Sequence, residues 1–453
     1  MDYIDNILLK QRQYFSNNTT KDIAFRIRML KKLRSVILEN EKSICDALYK
    51  DLRKSYEEAY LTEISIVLSE IKYHLDHIKE WSQAQSIHTP IHLLPSSSKL
   101  VAEPLGTALI IAPWNYPFQL IFNPLIGAIS AGCTSILKPS NITPTVSALI
   151  ASIIKNNFDD SYIAVVEGGR EENTLLLQKR FDIIFFTGSP SFGKAVMEAA
   201  AKSLCPVVLE LGGKSPCIVD ESANIKIAAR RIMWGKLINA GQTCIAPDYV
   251  FVHEKIKSKF IEELKIAAIK MYGKDFRNSK YYPRIVSSEA YNRLASYLNN
   301  ANILWGAEKD PADRFISPTI IEQKNMEDNI MKDEIFGPIL PILTFRHLDS
   351  ALAHINSNEK PLALYFFGKK SKANDVINKT SSGGICINDT LLHIANHHLP
   401  FGGVGNSGMG KYHGKESFLV FSNRKPVLSS PTWIDLVVKY PPFKWFSLLK
   451  RII

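Results

Sequence analysis

Residues 182–193 read D-I-I-F-F-T-G-S-P-S-F-G: an apolar run of strand length, a glycine, then a helix-forming segment predicted over 191–203. A strand apolar on both faces belongs inside a parallel sheet with helices on each side. The same unit repeats outward from this point. Upstream, strands are predicted at 107–112, 134–138 and 162–167, alternating with helices at 118–131 and 143–156 and a short helix near 171–178. Downstream, 206–210 supplies the next strand. This alternation predicts an α/β, Rossmann-like parallel sheet, and such sheets bind ligands beyond the carboxyl ends of their strands. Asn115, Lys138, Gly168, Ser189 and Glu210 fall there. That edge is the expected cofactor site.

A second α/β set follows. It has helices at 223–239, 255–272, 350–356 and near 373–379, with strands at 249–253, 315–321, 339–345, 362–367 and 384–388. Residues 401–410 are glycine-rich and read as a loop. Two long amphipathic helices, 22–51 and 57–81, are expected to serve core packing alone, with His74 and His77 on a solvated polar side. Residues 86–103 change character, broken by Pro90, Pro95 and three serines, and predict a hairpin that leaves the body. A strand at 422–430 is expected to pair with it. The expected organisation is a cofactor-binding domain at 1–85 and 104–210, a catalytic domain at 211–420, and a small β bridging or oligomerisation element at 86–103 with 421–435. A C-terminal tail occupies 436–453. A projecting hairpin needs something to pair with, so a homodimer is expected.

The length of 453 residues exceeds one simple core, and 46% hydrophobic with 22% charged residues describes a soluble globular protein. The net charge of +11 is spread over 10–34 and the segment after Ser422, without interleaved aromatics, so no nucleic-acid partner is expected. The six cysteines form no C-x-x-C pair and no zinc spacing, so no metal site is expected. The start, M-D-Y-I-D-N, is acidic and lacks an apolar stretch, which predicts no secretory signal and reduced thiols in the cytoplasm. No apolar run reaches the roughly 18 residues a membrane span needs.

Two stretches carry chemistry. Residues 239–248, N-A-G-Q-T-C-I-A-P-D, deliver one thiol, Cys244, into a polar loop after small residues. Residues 207–216, V-V-L-E-L-G-G-K-S-P, end an apolar strand on a lone carboxylate, Glu210, followed by two glycines. A thiol and a carboxylate, each beside glycines that let a ligand approach, point to a nucleophile and a base.

Seven segments then stand in order: P-W-N-Y-P (113–117), K-P-S (138–140), F-T-G-S-P-S-F-G (186–193), L-E-L-G-G-K-S-P (209–216), G-Q-T-C (241–244), E-I-F-G-P (334–338) and P-F-G-G-V-G-N-S-G-M-G (400–410). Together they resemble the NAD(P)-dependent aldehyde dehydrogenase superfamily across nearly the whole chain. C-I-A-P-D-Y, K-Y-H-G-K-E-S-F (411–418) and Y-P-P-F (440–443) are similar to its class 3, fatty-aldehyde branch. The resemblance implies oxidation of a small-molecule aldehyde, medium- or long-chain aliphatic or aromatic, to the acid. Cys244 would be the nucleophile, Glu210 the base for the hydrolytic water, and the Asn115 amide with the Cys244 N–H the oxyanion donors.

The same resemblance places NAD, with NADP also accepted. Gly188, Ser189 and Gly193 would hold the pyrophosphate, Lys138 an adenosine ribose and Glu334 the nicotinamide ribose. Phe336 would pack near the ring, with Trp114 and Gly168 lining the groove. Many NAD-preferring members carry Glu where this chain has Asn141, so Asn141 is the expected selector. A CoA-acylating dehydrogenase is the alternative enzyme, and Glu210 argues against it; a non-catalytic binder would have no use for Cys244, Glu210 and Asn115 together. In the tail, Trp445, Leu448, Leu449 and Ile452 share a helical face that would dock near the substrate mouth, with weak peripheral membrane contact as the alternative. His413 is a further candidate for that entrance.

Overall fold

The computed structural model describes residues 3–435, 437–443, 446–447 and 450. The tail face of Trp445, Leu448, Leu449 and Ile452 lies outside the described residues. The first sheet has six strands in the order Gly408–Met409, Val207–Leu211, Ile183–Gly188, Thr107–Ile111, Thr134–Lys138 and Ile163–Val165. All neighbours are parallel except Gly408–Met409, which runs antiparallel to Val207–Leu211. The predicted strand and helix alternation is therefore present, with ends shifted by a residue or two. Chain order reverses beside Thr107–Ile111, which creates the crevice where such sheets take ligands.

The second sheet has seven strands: Asn302–Trp305, Thr319–Glu322, Ile339–Phe345, Tyr249–His253, Pro216–Val219, Ala363–Phe367 and Gly384–Ile387. Only the first pair is antiparallel. Pro216–Val219 is a strand the sequence pattern hides, because four residues opening on a proline read as the tail of a motif. The strand expected at 315–321 is split. Phe315–Ile316 pairs with Lys309–Asp310 and Thr319–Glu322 joins the sheet. Pro318, with no N–H to donate, stands between them.

The helix expected at 22–51 is two helices, Ile23–Glu39 and Glu41–Leu52. Asn40 divides them, and its side-chain amide turns back to the Val36 carbonyl at 2.8 Å. Beyond Leu52 the chain runs through Tyr56–Ala59 and a π-helical turn at Tyr60–Ile64 into Ser65–Trp81. Contrary to expectation, His74 is fully buried, between Ser130 Oγ at 2.6 Å and Glu70 Oε1 at 3.1 Å. Helical periodicity misplaces it because its face, polar in the sequence, meets the buried Gln119–Ala131 helix.

The hairpin region forms Gln85–Ile87 and Ser97–Pro104, and Ser422–Ser429 adds a third strand with eight paired residues. Most positions of this small sheet are exposed.

Candidate active site

The loop carrying Cys244 is shaped by three successive left-handed residues after the Ile225–Leu237 helix: Asn239 at φ 52°, Ala240 at φ 52° and Gly241 at φ 78°. Two are not glycine, and each costs roughly 1–2 kcal/mol in that conformation. Side chains offset the cost by holding every turn. Asn239 N–H donates to Glu58 Oε1 at 2.7 Å, and its amide donates to the Asn115 carbonyl at 2.7 Å. Gln242 donates to the Asn239 and Arg284 carbonyls, both at 3.0 Å, and accepts from Val286 N–H at 2.9 Å. At Gly241 a Cβ would stand 2.3 Å from the Gly337 carbonyl oxygen.

This loop presents Cys244 to a cavity of about 700 Å³ that Glu210 also lines. Burial pushes the Cys244 thiol pKa up, and the Glu334 and Glu210 carboxyls push it further. Glu210 is buried in the Val207–Leu211 strand, and neither carboxyl oxygen has a protein partner. Burial raises its pKa well above the usual carboxylate range, against the pull of Lys411. The glycine-rich stretch is more than a loop here. Gly408 pairs with Glu210, and a Cβ on Gly402 would come within 2.7 Å of Glu210 Oε1. An unpartnered carboxyl of raised pKa facing a cavity is a base awaiting a proton donor.

Asn115 lies against the same loop, its amide donating to the Gln242 carbonyl at 3.0 Å. One amide hydrogen makes that bond and a second remains to donate. The turn that carries Asn115 is fixed by a fully buried ion pair. Lys54 Nζ meets Glu63 Oε1 at 2.5 Å and donates to the Asn115 carbonyl at 3.0 Å. The other Glu63 oxygen accepts from Phe118 and Gln119 N–H at 2.9 and 3.1 Å.

Of the residues expected to hold the cofactor, Glu334 alone lines the crevice at the cofactor edge. A crevice of about 340 Å³ is walled by Pro190, Gly212, Gly213 and Glu334. At Gly212 a Cβ would lie 2.0 Å from Glu334 Oε2, so only glycine leaves that wall open. Glu334 is half-buried, with its pKa pushed to about 8 by burial and by Asp248. Phe336, at φ 52°, meets the Trp114 ring edge-on at 5.3 Å. Ser189 caps the Pro190–Ala201 helix, whose first N–H groups face the strand ends. Gly188 and Gly193 serve packing: added Cβ atoms would strike Phe186 at 2.4 Å and Leu211 at 2.7 Å. Lys138 is buried and donates to the Pro139 and Gly168 carbonyls at 2.9 and 2.6 Å, with Asn141 exposed beside it.

Thiol, carboxyl and amide thus come together around one loop and one cavity, and the aldehyde dehydrogenase family pattern matches residues 3–427. The chain belongs to the aldehyde dehydrogenase family. It is 49% identical over 98% of its length to 97% of the 4,4'-diaponeurosporen-aldehyde dehydrogenase of Staphylococcus aureus. It is 42% identical to the dimeric NADP-preferring aldehyde dehydrogenase of Canis lupus familiaris, covering 98% of each chain. A solved structure of the substrate-bound state of Staphylococcus aureus AldH superposes with a TM-score of 0.98, at 48% identity, over 100% of this chain and 99% of that one. The enzyme oxidises aldehydes with NAD(P).

Several contributors to the dehydrogenase site escape the sequence. Tyr116 is buried, lines the cavity, and bonds the Thr243 hydroxyl at 2.6 Å. Glu58, raised to about 7 by burial, lines it too. The helices read as core packing therefore also wall the cavity, through Glu58, Leu61, Ile66 and Ser69. Lys54 and Glu63 look like ordinary surface charges in sequence, and no periodicity marks them otherwise. His413 is buried at φ +80°, a cavity wall rather than an exposed entrance, and its Nε2 has no partner.

Proposed function

We propose that this dehydrogenase takes long, apolar aldehydes and resolves them through a Cys244 thioester. The cavity that Cys244 and Glu210 share carries the substrate reading. Its wall holds Leu120, Trp234, Ile238, Ile245, Met271 and Leu391, and its size suits a chain rather than a two-carbon aldehyde. The thiol proton passes to solvent water in the open cavity, and the Cys244 sulfur adds to the carbonyl carbon. The C–S bond forms as the carbonyl electron pair becomes an oxyanion, which Asn115 Nδ2 and the Cys244 N–H stabilise. Bound NAD(P)+ supplies the acceptor for the hydride that leaves this carbon. Glu210 then removes a proton from water as its oxygen attacks the thioester. The C–S bond breaks and the sulfur leaves with its electron pair. A carboxylate whose pKa is raised by burial is a stronger base than a free one. Among the described residues, no helix is long and apolar enough to cross a membrane.

The small three-stranded sheet supports a homodimer, since Ile87, Leu93, Leu94 and Leu428 are exposed on or beside it. Six unpaired thiols support a cytoplasmic location. Exposed Val437 and Phe446 support a weak peripheral membrane contact of the tail. The deciding experiment is an aldehyde panel, short aliphatic to long-chain and aromatic, scored by kcat/KM for wild type, Cys244→Ala and Glu210→Gln. Wild type should favour the long apolar members, Cys244→Ala should be inactive, and Glu210→Gln should give one equivalent of NADH followed by slow turnover. Full steady-state turnover by Glu210→Gln, or a preference for short aldehydes, would overturn the assignment.

A further inference from the structure

Asn141 removes a negative charge from the adenosine end of the site, yet a carboxylate stands there all the same. Glu172 lies in the first turn of the Arg170–Leu177 helix, and its Oε2 accepts from Gly169 N–H at 2.6 Å. Gly168, at φ +129°, is bare where a Cβ would sit 2.2 Å from that same oxygen. The glycine that sequence reasoning gave to the cofactor groove makes room for a side chain. Its carbonyl is the group Lys138 Nζ holds at 2.6 Å. The Asn141 amide lies 3.2 Å from where a Cβ of Gly169 would be. Lys138, Asn141 and Glu172 therefore surround one two-residue corner, at the ends of the adjacent parallel strands Thr134–Lys138 and Ile163–Val165. Oε2 makes the cap bond, and the helix turn leaves the carboxylate half-exposed at this corner.

We propose that Glu172 is the specificity-determining charge of this site. Its carboxylate accepts from the adenosine ribose hydroxyls of NAD and repels the 2′-phosphate of NADP, in place of an acid at position 141. This rests on the NAD(P) site at these strand ends. A lysine alone would favour the phosphate, and a carboxylate beside it turns that preference round by like-charge repulsion.

The test is the dissociation constant of each dinucleotide, read by calorimetry without aldehyde, for wild type, Glu172→Gln and Asn141→Glu. Glutamine keeps an oxygen for the Gly169 N–H. Wild type should bind NAD more tightly than NADP, and the gap should narrow as salt screens the repulsion. Glu172→Gln should tighten NADP about tenfold and change NAD by less than about threefold. The salt dependence of the wild-type ratio keeps the test valid if Glu172→Gln does not fold. Equal shifts for both dinucleotides, an unchanged ratio, or a salt-independent wild-type ratio would overturn the proposal and leave Glu172 a helix cap. A ratio moved by Asn141→Glu alone would overturn it while keeping the site. Failure of either dinucleotide to bind wild type would overturn the site itself.

Discussion

Glu210→Gln should make the protein's stability less dependent on pH. Glu210 is buried with both oxygens unpartnered, and burial raises its pKa in the folded state. In the unfolded chain it titrates near the ordinary value of about 4.3. Between those two values the folded state binds a proton that the unfolded state does not, so stability falls as pH rises through that window. The slope for one proton is about 1.36 kcal/mol per pH unit, so pH 5 to 7 removes at most about 2.7 kcal/mol. The carboxyl faces an open cavity, and solvent screening there keeps the change below that ceiling. Glutamine does not titrate. Its amide is equally short of partners, which adds a constant penalty and leaves the pH dependence as the readout. Urea unfolding of both proteins at pH 5, 6 and 7 measures it: the variant's stability relative to wild type should climb with pH. A difference that stays flat, or falls, would refute a raised Glu210.

Lys54→Met should destabilise the enzyme by about 3–5 kcal/mol, because it leaves Glu63 buried without its cation. Lys54→Met combined with Glu63→Leu should recover part of that in denaturant melts, though Phe118 and Gln119 N–H lose their acceptor. Wild type should use both NAD and NADP with kcat/KM values within roughly two decades, and Asn141→Glu should move the ratio toward NAD in initial-rate assays. Leu120→Trp, which fills part of the cavity wall, should raise KM for long aldehydes and spare propanal. Equal effects on both would remove Leu120 from the chain path.

Much of the first sheet was legible because its strands are apolar on both faces and its helices are long enough to show their period. Glu334 entered only through the family resemblance of E-I-F-G-P, whereas Cys244 and Glu210 announced themselves by chemistry out of place, a thiol in a polar loop and an acid beside glycines. Lys54, Glu63 and Glu58 did not, because burial comes from distant segments closing over them. Nothing in Y-K-D-L-R-K-S-Y (49–56) tells Lys54 from Lys50, yet one is fully buried and the other exposed. Gly168 hid a second role. The resemblance implies that it lines the cofactor groove, and no sequence pattern shows that its missing Cβ also makes room for Glu172.

The two-residue strap of Gly408–Met409 has a consequence for how the protein is made. The strand bearing Glu210 has an open edge until that strap arrives, and Ser97–Pro104 likewise waits for Ser422–Ser429. Glu210 leaves the ribosome about 200 residues before Gly408, on the order of 10–40 s at ordinary synthesis rates. Throughout that interval the nascent chain offers an unpaired strand edge to its neighbours, so crowding on a polysome is where this fold is most exposed to mispairing. Chaperone demand should therefore track translation speed across residues 211–408, and slowing that stretch should lower soluble yield without altering the finished enzyme.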